Sequence, residues 1–218
     1  MTPREAVELQ KSLRDRVLAT PPERPIRTIA GGDISFNKYS STIYAGVVVL
    51  SLETLEVIEE SGVVTETDFP YVPGLLSFRE TPALMQAWGK LTSEPDAMMV
   101  DGHGYAHPRR FGIASHIGLM IERPTFGCGK SVLVGKFDDP PPERGAWSPM
   151  MDKGEVIGAA LRTKNRVAPV YVNIGHMIDL QSAIALALAC DGGYRVPEPT
   201  RRAHLLVNAM RRGERTFP

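Results

Sequence analysis

Three apolar runs follow one another with little between them, and they limit the fold more than any other feature. Ile26–Gly31, Thr42–Ser51 and Leu55–Val64 each have the β-branched character of a strand. The second is rich in valine and is expected at the centre of the group. The joining segments, Asn37-Lys38-Tyr39-Ser40 and Leu52-Glu53-Thr54, are short enough for hairpins. A three-stranded antiparallel meander is therefore expected, which needs further elements to cover both its faces.

The remaining chain supplies them. Thr2-Pro3-Arg4-Glu5 has the form of a capping box with proline at N1. It predicts a helix to about Leu18, with Ala6, Leu9, Leu13 and Val17 on one side. Thr81-Pro82 predicts a second helix to about Leu91. Asp96–Val100 reads as a short buried strand, and Phe111–Met120 as a helix. Pro124–Gly127, Ser131–Phe137, Glu155–Arg162 and Pro169–Asn173 are further strand candidates. Asp179 is placed to cap a helix through Cys190, and Thr200 a last helix that Gly213 ends. The order predicts an α/β fold with a central mixed sheet of the five-stranded type flanked by helices. No internal repeat or long linker divides the chain, so residues 1–218 are expected to form one domain.

Composition excludes some classes. Formal net charge is zero, so nucleic-acid binding would need a local basic footprint. Arginines do cluster, at Arg109-Arg110, Arg201-Arg202 and toward the end of the chain. No apolar run approaches the roughly 18 residues of a membrane span, and residues 1–5 lack the apolar core of a signal peptide. Only Cys128 and Cys190 occur, which suits a reducing, cytoplasmic setting.

Three acids stand at the edges of apolar elements. Asp33 follows Gly31-Gly32, Glu80 is placed to open a helix, and Asp101 ends the fourth strand. If strands one and four are neighbours, Asp33 and Asp101 emerge side by side. Carboxylates converging there repel one another unless a hard cation lies between them, and Mg²⁺ suits such a set. Lys130 is a candidate phosphate contact. Its setting, Gly127-Cys128-Gly129-Lys130-Ser131, imitates a phosphate loop but has Pro124 where that motif needs glycine. His103 and His107 have a zinc-protease spacing without its glutamate or its helix. His204 stands at the edge of the apolar stripe Ala203, Leu206, Val207 and Met210.

The segment Pro70-Tyr71-Val72-Pro73-Gly74-Leu75-Leu76-Ser77-Phe78-Arg79-Glu80 holds a tyrosine stiffly between two prolines, beside a carboxylate. Together with Gly31-Gly32-Asp33-Ile34-Ser35, the run from Val100 to Gly118, Gly129-Lys130-Ser131, Gly175-His176 and Pro197 to His204, it resembles the endonuclease V family. That resemblance implies a ribonuclease H-like fold. It also implies a DNA repair nuclease that cuts the second phosphodiester bond 3′ to deaminated adenine, leaving 3′-hydroxyl and 5′-phosphate ends. Mg²⁺, or Mn²⁺ in its place, would be the cofactor. By position, Asp33 and Asp101 would be metal ligands, Glu80 a further catalytic and metal-site carboxylate, and Lys130 a phosphate contact. His204 would support metal or water. Tyr71, with Pro70 and Pro73, would be the wedge that fills the space of the flipped base. Gly74, Leu76, Gly102 and Ile113 would wall the hypoxanthine pocket, with His107 near it. Gly32, Cys128-Gly129 and Asn173 depart from the commoner family residues. The implied partner is deoxyinosine-containing DNA, single- or double-stranded, with inosine-containing RNA as the alternative substrate; a monomer is expected because no long apolar surface stripe stands out in the sequence. A lesion-binding module without turnover and a ribonuclease H-like ATPase are the other readings. The intact acids oppose the first, and the missing phosphate loop the second. Deaminated adenine pairs poorly, so extruding it costs less than extruding a normal base. An aromatic wedge offsets about 1–3 kcal/mol per stacked base.

Overall fold

The computed structural model describes residues 1–38 and 40–218. Tyr39, in the expected hairpin Asn37–Ser40, lies outside the described residues. Strands β1 (Thr28–Phe36), β2 (Thr42–Ser51) and β3 (Val57–Glu66) form the meander, with β2 between the other two. Helix α1 (Pro3–Arg14) precedes them. After them come α2 (Leu76–Trp88), β4 (Ala97–Val100), α3 (Ile113–Ile121) and β5 (Thr125–Gly129). The chain ends with β6 (Trp147–Asp152), β7 (Glu155–Leu161), β8 (Val170–His176), α4 (Leu180–Ala189) and α5 (Glu198–Arg211).

All eight strands share one sheet in the order β3-β2-β1-β4-β5-β8-β7-β6. The pairs β1–β4 and β4–β5 are parallel and the others antiparallel, so the sheet is mixed. The architecture is the expected α/β, ribonuclease H-like one. The five-stranded sheet of the sequence reading is embedded in a larger one, extended by β8, β7 and β6.

Alternation along β2 builds the two cores. Val48 and Leu50 point to one face, with α4 and α5; Val47 and Val49 point to the other, with α2 and α3. Both sets are fully buried.

Several expected boundaries shift, each for a physical reason. Strand β1 does not stop at Gly31 but runs to Phe36, so Asp33 lies within it, opposite Gly46. The two glycines serve close packing instead. A Cβ on Gly31 would collide with the Pro199 carbonyl of α5. Helix α2 begins at Leu76, before the Thr81-Pro82 pair, and carries Pro82 inside it. The missing Pro82 N–H costs one helical hydrogen bond. Burial of Phe78, Ala83, Leu84 and Ala87 offsets that loss. Glu80 is therefore inside the helix rather than at its opening. The cap of α5 is Pro197 and not Thr200, whose hydroxyl donates back to the Pro197 carbonyl. Ser131–Phe137 is not a strand; only Lys136 bridges, to Met151. The unexpected β6 holds Pro149, which an edge strand tolerates.

Candidate active site

Strand adjacency assembles the acids. Strand β1 pairs with β4 in parallel, Gly32 opposite Val100, and the Asp101 N–H donates to the Gly32 carbonyl at 3.3 Å. Asp33 and Asp101 thus leave neighbouring strands at the same end. Strand β5, on the other side of β4, delivers Lys130, which forms an ion pair with Asp101 Oδ2. The close approach of α5 over Gly31 brings His204 to the same place, with Nδ1 2.8 Å from Asp33 Oδ2. Glu80 approaches from α2.

One ligand atom each from Asp33, Asp101 and His204 lie within 4.8 Å of one another. This is the one such His, Cys, Asp or Glu cluster among the described residues. Burial raises the Glu80 carboxyl to about 7, with Asp33 and Asp101 adding to the rise and Arg79 opposing it. Burial and Asp33 also raise Asp101, against the pull of Lys130. Like charges are thus crowded into a site with one lysine to balance them. A hard divalent cation relieves that crowding, and hard carboxylate oxygens are its preferred donors. The residues fit such an ion.

A cleft of about 230 Å³ opens beside the acids. Its lining includes Tyr71, Pro73, Gly74, Leu76, Gly102, His107 and Ile113, as well as Glu80 and Asp101. All five expected pocket residues meet there. Pro70 does not reach the cleft. Tyr71 is 61% exposed at its mouth, unusual for a large aromatic, with its ring tilted 6.5 Å from Phe36. The volume suits a single base better than a drug-sized ligand. A larger groove of about 690 Å³ lies by Tyr105 and Arg110. Its Arg110 is already paired with Asp152 and Glu155, so it offers no comparable unbalanced charge.

Gly74 makes a tight turn in the wall of the cleft. Its φ of +78° is a left-handed turn that favours glycine. Its carbonyl accepts from Gln10 Nε2 (3.0 Å), Arg109 Nη2 (2.6 Å) and His107 Nε2 (3.0 Å). The Arg109 N–H donates to His107 Nδ1 at 3.2 Å, so His107 is neutral with its proton on Nε2. Burial, then the Arg109 charge, lower it to about 4 despite the bond to Gly74.

Two supporting residues were not anticipated as such. Gln10 is fully buried and also donates to the Phe111 carbonyl at 2.9 Å. The expected stripe of α1 took in Leu9 and Leu13, both only half-buried, and passed over Gln10. A glutamine three or four residues from Ala6 and Leu13 was the available signal. Arg79 donates to the Phe69 carbonyl at 2.6 Å and the Ser40 carbonyl at 3.1 Å, bracing the loop that carries Tyr71. His103 does not converge with His107 on any shared point; its Nε2 meets the Ser131 carbonyl at 3.0 Å and its Nδ1 meets Asn173 Nδ2 at 3.2 Å. Lys130 leads into a loop and not a helix, so the phosphate-loop likeness ends at the sequence.

The model of the family described as Endonuclease V matches residues 10–205. A Myxococcus xanthus endonuclease V is 50% identical over 98% of this chain and 92% of its own. The crystal structure of the Streptomyces avermitilis endonuclease V superposes with a TM-score of 0.93, at 40% identity, over 97% of this chain and 94% of that one. The Ciona intestinalis endonuclease V, in complex with a 24mer DNA containing an inosine followed by a ribo-adenosine, shares the fold. Its TM-score is 0.85 at 24% identity, over 97% of this chain and 98% of that one. Family match, relatives and fold agree with the acids and the cleft: this chain is a member of the endonuclease V family.

Proposed function

We propose that the chain is a single-domain, Mg²⁺-dependent DNA endonuclease that recognises deoxyinosine and hydrolyses the second phosphodiester bond 3′ to it. Mn²⁺ would substitute, and the cytoplasm is the proposed setting. The observation that supports the reading best is the contiguity of a base-sized cleft with the Asp33–Asp101 pair.

Asp33 and Asp101 would hold the cation, with Glu80 as a further carboxylate. When bound, the ion polarises the phosphoryl oxygen and makes water acidic enough to act as a nucleophile near neutral pH. Glu80, raised to about 7, can accept a proton at its carboxylate near neutrality. Lys130 would neutralise phosphate charge once it exchanges Asp101 for the substrate. Tyr71, braced by Pro70 and Pro73, would fill the gap left by the flipped base. Little ordering entropy remains for it to lose. Gly74, Leu76, Gly102 and Ile113 would enclose hypoxanthine, with His107 fixing the Gly74 backbone.

A labelled duplex with one deoxyinosine, incubated with the protein and Mg²⁺, tests the proposal. The expected product is a single nick one nucleotide beyond the lesion, with undamaged duplex intact. Asp33→Ala and Asp101→Ala should each lose at least about 10²-fold in rate, as for other electrostatic catalytic groups. Tyr71→Ala should weaken lesion binding while metal binding persists. An uncut lesion duplex, or equal cutting of undamaged DNA, would reject the reading.

A further inference from the structure

His204 and Asn208 stand one helical turn apart on α5, and their partners determine where the imidazole proton sits. Asn208 Oδ1 receives Arg211 Nη2 at 3.2 Å and the Ser35 hydroxyl at 3.2 Å. Arginine only donates, so that atom is the amide oxygen and the side chain cannot be reversed. Asn208 Nδ2 then faces His204. It donates to the His204 carbonyl at 2.8 Å and lies 3.1 Å from His204 Nε2. An amide nitrogen offers no lone pair, so Nε2 is the acceptor. A neutral imidazole has one donor and one acceptor nitrogen. The proton is on Nδ1, and Nδ1–H donates to Asp33 Oδ2.

We propose that Asn208 is a positioning residue that fixes His204 as the Nδ1–H tautomer, so that His204 orients the Asp33 carboxylate instead of giving its own lone pair to a cation. The catalytic consequence rests on the nuclease reading above; the tautomer does not. The three-atom cluster thereby divides into two carboxylate ligands and one donor that aims the first. Asp33 Oδ1 is held independently by the Ile34 N–H at 2.7 Å, so both oxygens are oriented. The brace is anchored beyond the helix: Ser35 reaches Asn208 from β1, and Arg211 Nη1 reaches Asn37 Oδ1 at 3.1 Å. Groups that orient a ligand in this way typically contribute about 10–100-fold to metal affinity or activity.

The test is the imidazole tautomer in the metal-free, full-length protein, read from long-range ¹H–¹⁵N correlations of ¹⁵N-histidine. The His204 pattern is identified by its loss in His204→Gln. Wild type is expected to show a protonated Nδ1 and an unprotonated Nε2. Asn208→Asp keeps the shape but only accepts; with a carboxylate on each side, His204 should take a proton on Nε2 while Asp33 keeps Nδ1–H, giving the doubly protonated pattern. Should that variant not fold, Asn208→Ala removes the donor and should move the population toward Nε2–H. An Nε2–H wild type, or an unchanged pattern in the folded variant, overturns the assignment. On deoxyinosine duplex with saturating Mg²⁺, Asn208→Asp should lose about 10–100-fold in kcat/KM. A fully active variant overturns the positioning role. Wild type with the expected tautomer and no cleavage would sink the nuclease reading and leave the hydrogen-bond assignment standing.

Discussion

Gln10 joins the proposed recognition cleft to a helix that carries none of its acids. One amide group serves Gly74 and Phe111 as donor and accepts Arg109 Nε at 2.5 Å. Gln10→Ala leaves the Phe111 carbonyl without this buried donor, which costs about 1–3 kcal/mol. Gly74 keeps His107 and Arg109, so the turn itself survives. The expected outcome is a lower urea midpoint with several-fold weaker affinity for a deoxyinosine duplex and unchanged affinity for normal DNA. Unaltered lesion affinity would detach α1 from recognition. At this scale the acids, Lys130 and the proline-bracketed tyrosine were legible, because charge and stiffness are properties of the residue itself. Gln10, Arg79 and Asn208 were not. Their importance lies in which carbonyl, hydroxyl or imidazole they meet, at separations of 64, 39 and 173 residues for some partners, or through an ordinary helical step for others.

Helices α2 and α3 meet through rings, and that contact should be sensitive to acid. His116 of α3 lies 5.1 Å from the Phe78 ring and 5.6 Å from Phe111, with Nδ1 buried and unpartnered. Burial lowers its pKa to about 4. The folded state therefore resists a proton that the unfolded chain takes up below about 6.5. Stability from this group is complete above pH 6.5 and is lost as pH falls toward 4. His107 acts in the same sense, and the raised Glu80 in the opposite one. A difference measurement isolates His116. Between pH 7 and pH 5, metal-free wild type should lose about 1 kcal/mol more than His116→Leu, allowing for the partial exposure of the ring. Parallel pH profiles in urea melts would remove the helix contact as the cause. Element existence was largely legible here, since periodicity reports burial. Boundaries were not, where a glycine pair marked close helix approach rather than a strand end, or where a proline sat inside a buried helix. Strand β6 escaped because an exposed edge with a proline has little apolar alternation to read.

Across the whole molecule, positive and negative charges are equal in number, and this bears on how the proposed DNA substrate would be held. Formal net charge is zero. Cations near the cleft already have partners: Lys130 has Asp101, Arg109 has Gly74 and Gln10, and Arg79 has two carbonyls. Arg195 is spread over the carbonyls of Lys130, Ala168 and Pro169. The arginine pair on α5 is committed to Glu198, and Arg212 and Arg215 to Glu214 and Glu60. A non-specific phosphate grip would need many unpaired cations, each adding about −0.9 to the slope of log K against log salt. The cations beside the cleft are thus already held, so affinity is expected to come mainly from the base cleft and the tyrosine. Binding of a deoxyinosine duplex, measured in Ca²⁺ or with Asp101→Asn to prevent cutting, should therefore show a shallow slope of about −2 to −4. The undamaged duplex should bind weakly at every salt concentration. A slope steeper than about −6, or equal affinity for both duplexes at low salt, would mean that phosphate contacts and not the cleft hold the DNA.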